Sequence, residues 1–252
     1  MPGIIIPLYA HTLYPGIVST KAAHPSVDFI VILNPSSGPG TAPQASFTSA
    51  ITAMKAAGIK VLGYVFTSYG TRPIASVEAD IDKYVTFYPD IIGINFDEFA
   101  TSAGQEAYYG SINTYAKSKG FSITIGNPGY STTPSYDGIM DIYTIYESSG
   151  IPPISTLSAM KADFTKSKLG YLAHSVAAFD PVAFAGTLPF VSYCYVTNDV
   201  MRNPWDTLPP FLNAEIAVLD TGVIIPPVPT PTPTPIPSGV HPFTGTFNGI
   251  IS

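Results

Sequence analysis

Short apolar runs alternate along the chain with longer segments in which apolar residues recur at helical spacing. The runs are continuous and rich in Ile, Val and Tyr, as parallel strands buried on both faces are. They predict eight strands, at residues 4–9, 29–34, 60–67, 91–98, 122–127, 141–147, 169–174 and 190–197. Eight strands separated by helices predict a single (β/α)8 barrel of the TIM type, which needs about 250 residues; the chain has 252.

The helical pattern is clearest at residues 45–57, 76–88, 103–119 and 208–219. We predict that Ser76 caps the second of these helices, because a serine hydroxyl accepts hydrogen bonds from the free N–H groups of a first turn. The segments after the first, fifth and seventh strands have weaker patterns, so we expect short or irregular helices there.

The composition changes near the C-terminus, where residues 226–237 read PPVPTPTPTPIP. Proline has no N–H to donate and favours an extended polyproline II conformation. We therefore divide the chain into a barrel at 1–222, a stiff Pro/Thr-rich linker at 223–237 and a short tail at 238–252 that is truncated or docks on a neighbour. The linker suggests attachment to a cell surface or to another module.

Charge and composition narrow the classes of function. The formal net charge is −6 and the 11 Lys and Arg residues are spread singly, so nucleic acid is not an expected partner. No stretch reaches the ~20 apolar residues of a membrane span. The single cysteine, Cys194, lies in an apolar run and is expected to be a buried thiol. The 16 tyrosines suit sugar recognition, although most should be core residues.

One apolar run ends in two adjacent acids, Asp97 and Glu98. The C-terminal ends of the strands carry the chemistry of a parallel barrel. Because side chains alternate along a strand, Phe96 is predicted to face the helices, Asn95 and Asp97 the barrel axis, and Glu98 the rim or the neighbouring strand. A helix-capping or salt-bridging pair is the alternative.

A second acid, Glu147, ends the run two strands further on. Two carboxyl groups ~5 to 9 Å apart, on either side of a glycosidic oxygen, are what hydrolysis of a sugar linkage requires. The alternative is a solvated loop glutamate.

Further polar residues lie at or near predicted strand ends and are interpreted as substrate-binding. They are Tyr9, Asn34, Tyr64, Asn127, His174, Tyr195, Asn198 and Asp199. Trp205 is either a sugar platform or the anchor of a lid. The four histidines show no paired spacing for zinc, and phosphate-loop, dinucleotide and nucleophile-elbow motifs are missing, so neither a metal nor a cofactor is expected.

Motifs on nearly every strand resemble the spherulin-4 family, from residue 4 to about 215. They are NPSSGPG at 34–40, VLGYV at 61–65, YGTRP at 69–73, DIDKY at 80–84, FDE at 96–98, NPG at 127–129 and YVTND at 195–199. The resemblance implies a (β/α)8 barrel similar to glycoside hydrolase family 135, whose members cut α-1,4-linked N-acetylgalactosamine-containing polysaccharides of the extracellular matrix. It also implies a retaining mechanism in which Asp97, Glu98 and Glu147 form the active site.

The leading hypothesis is a secreted or surface-held, endo-acting glycoside hydrolase on a galactosamine-containing polysaccharide. Asp97 would be the nucleophile, Glu147 the acid/base and Glu98 a supporting residue, although the first two roles could be reversed. The alternative is a carbohydrate-binding or structural surface protein that keeps the barrel without turnover.

Overall fold

The first two strands, at residues 3–8 and 29–33, are buried at every residue, because the barrel interior covers one face of each strand and the helices cover the other. A computed structural model, which describes residues 2–221, contains all eight predicted strands, with bounds that differ by a few residues at most. They are β1 (Gly3–Leu8), β2 (Phe29–Leu33), β3 (Lys60–Phe66), β4 (Gly93–Asp97), β5 (Ile123–Gly126), β6 (Ile142–Ser149), β7 (Lys168–His174) and β8 (Tyr193–Val196).

The strands form a closed parallel barrel in sequence order, which confirms the predicted fold class. Closure comes from pairing of β1 with β8, where Gly3 lies opposite Tyr193 and Ile4 opposite Cys194. Cys194 is free and buried, as predicted. The predicted linker and tail lie outside the described residues.

Seven α-helices cover the barrel within residues 2–221. They are α1 (Tyr14–Ala23), α2 (Ala45–Ala56), α3 (Ile74–Phe87), α4 (Glu106–Ser118), α5 (Ile154–Asp163), α6 (Pro181–Thr187) and α7 (Leu212–Thr221). Three-residue 3-10 helices lie at His11–Leu13, Ser68–Gly70 and Pro134–Tyr136, and the last of these is the only helical turn between β5 and β6. The sequence pattern missed α5 and underestimated α1, which has 10 residues.

Three predicted helix starts are wrong, each for a local reason. Helix α3 begins at Ile74 after the extended Pro73, and no side chain caps its first turn, so Ser76 is not its cap. Helix α4 starts only at Glu106, because Gly104 has a positive φ of 114° that a helix cannot contain. Helix α7 starts at Leu212, after two prolines at 209–210.

Helix α7 is tied to the barrel by a buried acid. Glu215 is fully buried, and its Oε1 accepts a hydrogen bond of 2.9 Å from the N–H of Val196 in β8. Burial raises the pKa of Glu215 well above its usual value, which favours the protonated carboxyl. The contact fixes the helix that follows the last strand.

Candidate active site

An open cavity of about 420 Å³ lies at the C-terminal ends of the strands. Its wall combines three acids, four tyrosines and two loops. The lining comprises Asp97, Glu98, Glu147, Tyr9, Tyr64, Tyr69, Tyr130, His174, residues 127–129 and residues 201–205. Polar groups from at least five strands thus converge at the end of the barrel where the chemistry of this fold is found.

Asp97 is the last residue of β4 and lies in the cavity wall, the position that strand alternation predicts. Its Oδ2 accepts a hydrogen bond of 2.6 Å from the Tyr64 hydroxyl, and its Oδ1 accepts one of 2.8 Å from Asn127 Nδ2. Burial raises the pKa of Asp97 above its usual value, and the charge of Glu98 adds to the rise, whereas the two hydrogen bonds oppose it. No Lys or Arg pairs with Asp97 in the described chain.

Glu147 reaches the cavity because β6 carries a β-bulge. Thr144 lies opposite Gly170 and Glu147 opposite Leu172, so β6 contains one residue more than β7 over this stretch. The ring of Tyr143 packs on Phe164 at the end of α5, so Tyr143 faces the helices. In a regular strand Glu147, four residues later, would face the helices as well. The extra residue reverses that alternation and directs the carboxyl inward.

Glu147 is half-buried, and two side chains donate hydrogen bonds to its carboxyl. Its Oε2 accepts a bond of 2.7 Å from Asn127 Nδ2, and its Oε1 accepts one of 3.2 Å from Trp205 Nε1. Burial, with a further contribution from the charge of Asp97, raises the pKa of Glu147 to about 6. A carboxyl with this pKa is protonated in mildly acidic solution and can act as a general acid there.

Asn127 links the two acids through one amide nitrogen. Its Nδ2 donates to both Asp97 and Glu147, so the two accepting oxygens lie no farther apart than the sum of 2.8 and 2.7 Å, which is 5.5 Å. Its Oδ1 accepts from the N–H of Gly129 at 3.0 Å. Both amide hydrogens are therefore engaged by protein, and Asn127 holds the acids instead of donating to a substrate. This upper limit lies below the ~6.5 to 9.5 Å of inverting glycosidases and is compatible with the ~5 to 5.5 Å of retaining ones.

Glu98 also lines the cavity, although strand alternation directs it to the rim. The difference arises at the backbone, because Glu98 has a left-handed φ of 51°, which ends the strand and turns its side chain. Its carbonyl oxygen accepts hydrogen bonds from the N–H of Tyr69 at 2.7 Å and from the Thr67 hydroxyl at 2.8 Å. This backbone conformation places a third carboxyl in the cavity wall.

Four of the eight residues interpreted as substrate-binding line the cavity: Tyr9, Tyr64, Asn127 and His174. The other four do not. Asn34 accepts a hydrogen bond from the N–H of Gly38, Tyr195 is buried beneath Trp205, and Asp199 accepts bonds from Val200 N–H and Thr207. Asn198 lies on the surface outside the lining.

The sequence leaves two roles for Trp205, a sugar platform or the anchor of a lid. Its ring is buried and its N–H bonds to Glu147, so within the described chain Trp205 anchors the loop at 201–205 to the acid. Tyr69, Tyr130 and Arg202 were not predicted to line the cavity. They lie on loops, which alternation along the strands does not describe; Tyr69 begins the YGTRP motif at 69–73, whereas Tyr130 and Arg202 belong to none of the motifs.

No group of three or more His, Cys, Asp and Glu side chains within residues 2–221 is arranged to hold a metal ion. No helix in the same part of the chain is long and apolar enough to cross a membrane.

The fold and the cavity define a class of protein, a (β/α)8 barrel with two half-buried acids that pair with no Lys or Arg in the described chain. The chain belongs to the spherulation-specific family 4, whose sequence profile matches residues 3–219. This match confirms the resemblance predicted from the motifs. The chain is 39% identical over 152 residues to Spherulin-4 of Physarum polycephalum, a match that covers 58% of this chain and 45% of that protein. The chain thus spans less than half of that relative.

Solved structures share the barrel. The crystal structure of Aspergillus clavatus Sph3 in complex with GalNAc superposes with a TM-score of 0.75 at 22% identity, over 87% of this chain and 98% of that chain. Tryptophan synthase from M. tuberculosis, in its aminoacrylate-bound form, superposes with a TM-score of 0.54 at 14% identity, over 88% of this chain and 93% of that chain. A barrel hosts unrelated reactions, so these likenesses show the fold, and the chemistry has to be argued from the site.

Proposed function

We propose that this protein is a retaining, endo-acting glycoside hydrolase on an α-linked galactosamine-containing polysaccharide. The observation that carries the proposal is the pair Asp97 and Glu147, whose oxygens lie within 5.5 Å of each other at an open cavity. That spacing suits a nucleophile and an acid/base on the two sides of one glycosidic bond. The amino sugar is suggested by family membership and by GalNAc in the Sph3 structure.

The pKa of Glu147, raised to about 6, suits the acid/base and leaves Asp97 as the nucleophile. Donors from Tyr64 and Asn127 stabilise its ionised form. In the first step, Asp97 attacks the anomeric carbon, the glycosidic C–O bond breaks, and Glu147 gives its proton to the departing oxygen. The products are a covalent glycosyl–Asp97 ester, an ionised Glu147 and a shortened chain that leaves.

The second step reverses the roles. Ionised Glu147 takes a proton from a water molecule, whose oxygen attacks the anomeric carbon and displaces Asp97. Glu147 is protonated again, and the sugar keeps its original anomeric configuration after two inversions. Glu98, beside Asp97 in the cavity wall, is placed to bind a hydroxyl or amide group of the same sugar.

The location of the protein is part of the proposal. An extracellular polysaccharide substrate requires a secreted or surface-held enzyme, and the Pro/Thr-rich stretch predicted at 223–237 would attach the barrel to a surface or to another module.

The test is incubation with galactosamine, glucosamine and galactose polymers, acetylated and deacetylated, followed by mass spectrometry of the products. We expect oligosaccharides from an α-linked galactosamine-containing polymer with the unaltered protein and with the control Glu78→Gln, which changes a glutamate of helix α3. Over the same incubation, Glu147→Gln and Asp97→Asn should release roughly a hundredfold less product or lower still. No product from any polymer would contradict hydrolysis and favour a non-catalytic carbohydrate-binding protein.

A further inference from the structure

Two exposed tyrosines lie at the mouth of the cavity. Tyr69 is 60% exposed and Tyr130 is 71% exposed, and both line the cavity. They are the only aromatic residues among the exposed large hydrophobic side chains of the described chain. Neither phenol hydroxyl has a hydrogen-bond partner, and neither ring stacks on another ring, within residues 2–221. More than half of each side chain is therefore open to a ligand.

The loop that carries Tyr69 is held rigidly against β4. Ser68 and Tyr69 have left-handed φ angles of 47° and 56°, a conformation that is unfavourable for a bulky side chain. The N–H of Tyr69 donates to the carbonyl oxygen of Glu98 at 2.7 Å, and the N–H of Thr67 donates to that of Asp97 at 2.9 Å. These bonds hold the strained backbone and fix the exposed ring next to the acids.

The loop that carries Tyr130 is held in the same way on the other side of β4. Gly129 precedes it with a left-handed φ of 64°. The N–H of Gly129 donates to Asn127 Oδ1 at 3.0 Å, and its carbonyl oxygen accepts from the N–H of Glu147 at 2.9 Å. Tyr130 thus directly follows Gly129, whose backbone is hydrogen-bonded to both Asn127 and Glu147.

We propose that Tyr69 and Tyr130 are two sugar-stacking subsites, which bind pyranose units flanking the unit held by Asp97 and Glu147. This inference rests on the proposed function and specifies its ligand as a chain of several sugar units. A cavity of about 420 Å³ is at the small end for ligand sites, so a polysaccharide extends beyond it, and the two rings lie where the chain leaves. An aromatic face packs on the C–H surface of a pyranose ring.

The subsites predict how affinity depends on chain length. The monosaccharide reaches only the acids, whereas longer chains reach first one ring and then the other. Affinity should rise with each sugar unit until both tyrosines are covered. Removal of a ring should remove the corresponding gain and leave binding of the monosaccharide unchanged.

The experiment measures binding by calorimetry in Glu147→Gln, which binds without turnover. The probes are N-acetylgalactosamine and its α-1,4-linked oligosaccharides of increasing length. In this background we compare Tyr69→Ala and Tyr130→Ala with Tyr69→Phe and Tyr130→Phe, which keep the ring. The control is Val182→Ala, which trims a side chain of similar exposure, 61%, on helix α6. Thermal unfolding confirms that each variant is folded.

We expect each alanine variant to bind the longest oligosaccharide roughly tenfold more weakly, a change of about 1.4 kcal/mol. The phenylalanine variants and the control should bind as the parent does. Unchanged affinity in both alanine variants, or equal weakening for the monosaccharide, would overturn the subsites and leave the proposed hydrolase intact. If Glu147→Gln binds none of the probes, the proposed substrate is wrong and the subsites fall with it.

Discussion

The two ends of the barrel carry the same residue type in opposite surroundings. At the N-terminal end, Asp28 lies 2.8 Å from Lys60 Nζ and accepts a 2.8 Å hydrogen bond from the Tyr193 hydroxyl, and Asp141 lies 2.5 Å from Lys117 Nζ. At the C-terminal end, Asp97 and Glu147 are buried deeper and have no cationic partner in the described chain. These four acids thus differ by end: the two at the N-terminal end pair with lysines, and the two at the C-terminal end do not.

The pKa values follow this difference. Burial tends to raise the pKa of Asp28, but the bonds from Lys60 and Tyr193 bring it below its usual value. Burial also raises the pKa of Glu147, and there no cation opposes it, so the pKa reaches about 6. An acid with a lowered pKa stabilises the fold as an anion, whereas a raised pKa suits proton transfer. The comparison predicts that the two ends fail differently when mutated.

The largest effect is expected on activity. Glu147→Gln removes the proton donor and should lower the hydrolysis rate roughly 10²- to 10⁴-fold. Asp28→Asn, at the opposite end, should leave the rate within about twofold, because surface changes away from a site have small effects. Initial rates on the same polymer measure both. Equal losses in the two variants would mean that the ends do not differ in function.

The next effect concerns the residue that links the acids. Asn127→Ala removes both hydrogen bonds from Nδ2, so the acids lose their relative position, and kcat should fall about 10²-fold. KM should change little, because the amide is occupied by protein in the free enzyme. The pH profile should also shift, since one bond that lowers the pKa of each acid is lost.

Asn113→Ala serves as the control for that variant. Asn113 lies in helix α4 and accepts a hydrogen bond from Thr124 at 2.8 Å, away from the cavity. A raised KM with unchanged kcat in Asn127→Ala would indicate instead that Asn127 contacts the substrate directly.

A smaller effect is expected on stability at the C-terminal end. The pKa of Glu147 is 4.5 in the reference state and about 6 in the folded protein, so the folded state holds the proton more tightly. The stability of the parent should therefore fall as pH rises through this interval, by about 2 kcal/mol in total. Glu147→Gln, which does not titrate, should gain that amount over the parent above pH ~6 and nothing below pH ~4.

Chemical unfolding at several pH values measures this difference. A loss of stability in Glu147→Gln at high pH would show that the bonds from Asn127 and Trp205 to the carboxylate outweigh the cost of its burial.

The smallest effect is expected at the N-terminal end, with the opposite sign. Asp28 has a folded pKa below 3.8, so its ionised form contributes stability above that pH and loses the contribution as pH falls further. Asp28→Asn should cost about 0.5 to 1 kcal/mol near neutral pH, because the pair with Lys60 is more than a third exposed. Urea unfolding measures this change in the free energy of unfolding. A more stable Asp28→Asn would show that ionised Asp28 destabilises the fold, as is expected of Glu147.

Much of the barrel was predictable, because strands that are buried on both faces have continuous apolar sequences. The position of Asp97 followed from alternation along β4. The inward position of Glu147 did not, because it depends on an extra residue in β6 that only the pairing with β7 shows. The bridging role of Asn127 and the bond from Trp205 join residues far apart in sequence, and a sequence pattern does not contain such contacts.

The central claim is hydrolysis with retention, and it rests on the spacing of Asp97 and Glu147. The most direct measurement is proton NMR of the anomeric signals during the first turnovers on an α-1,4-linked N-acetylgalactosamine oligosaccharide. The account predicts that the α-anomer of the newly formed reducing end appears first and that the β-anomer follows by mutarotation. The β-anomer appearing first would contradict retention, and no new reducing end would contradict hydrolysis itself.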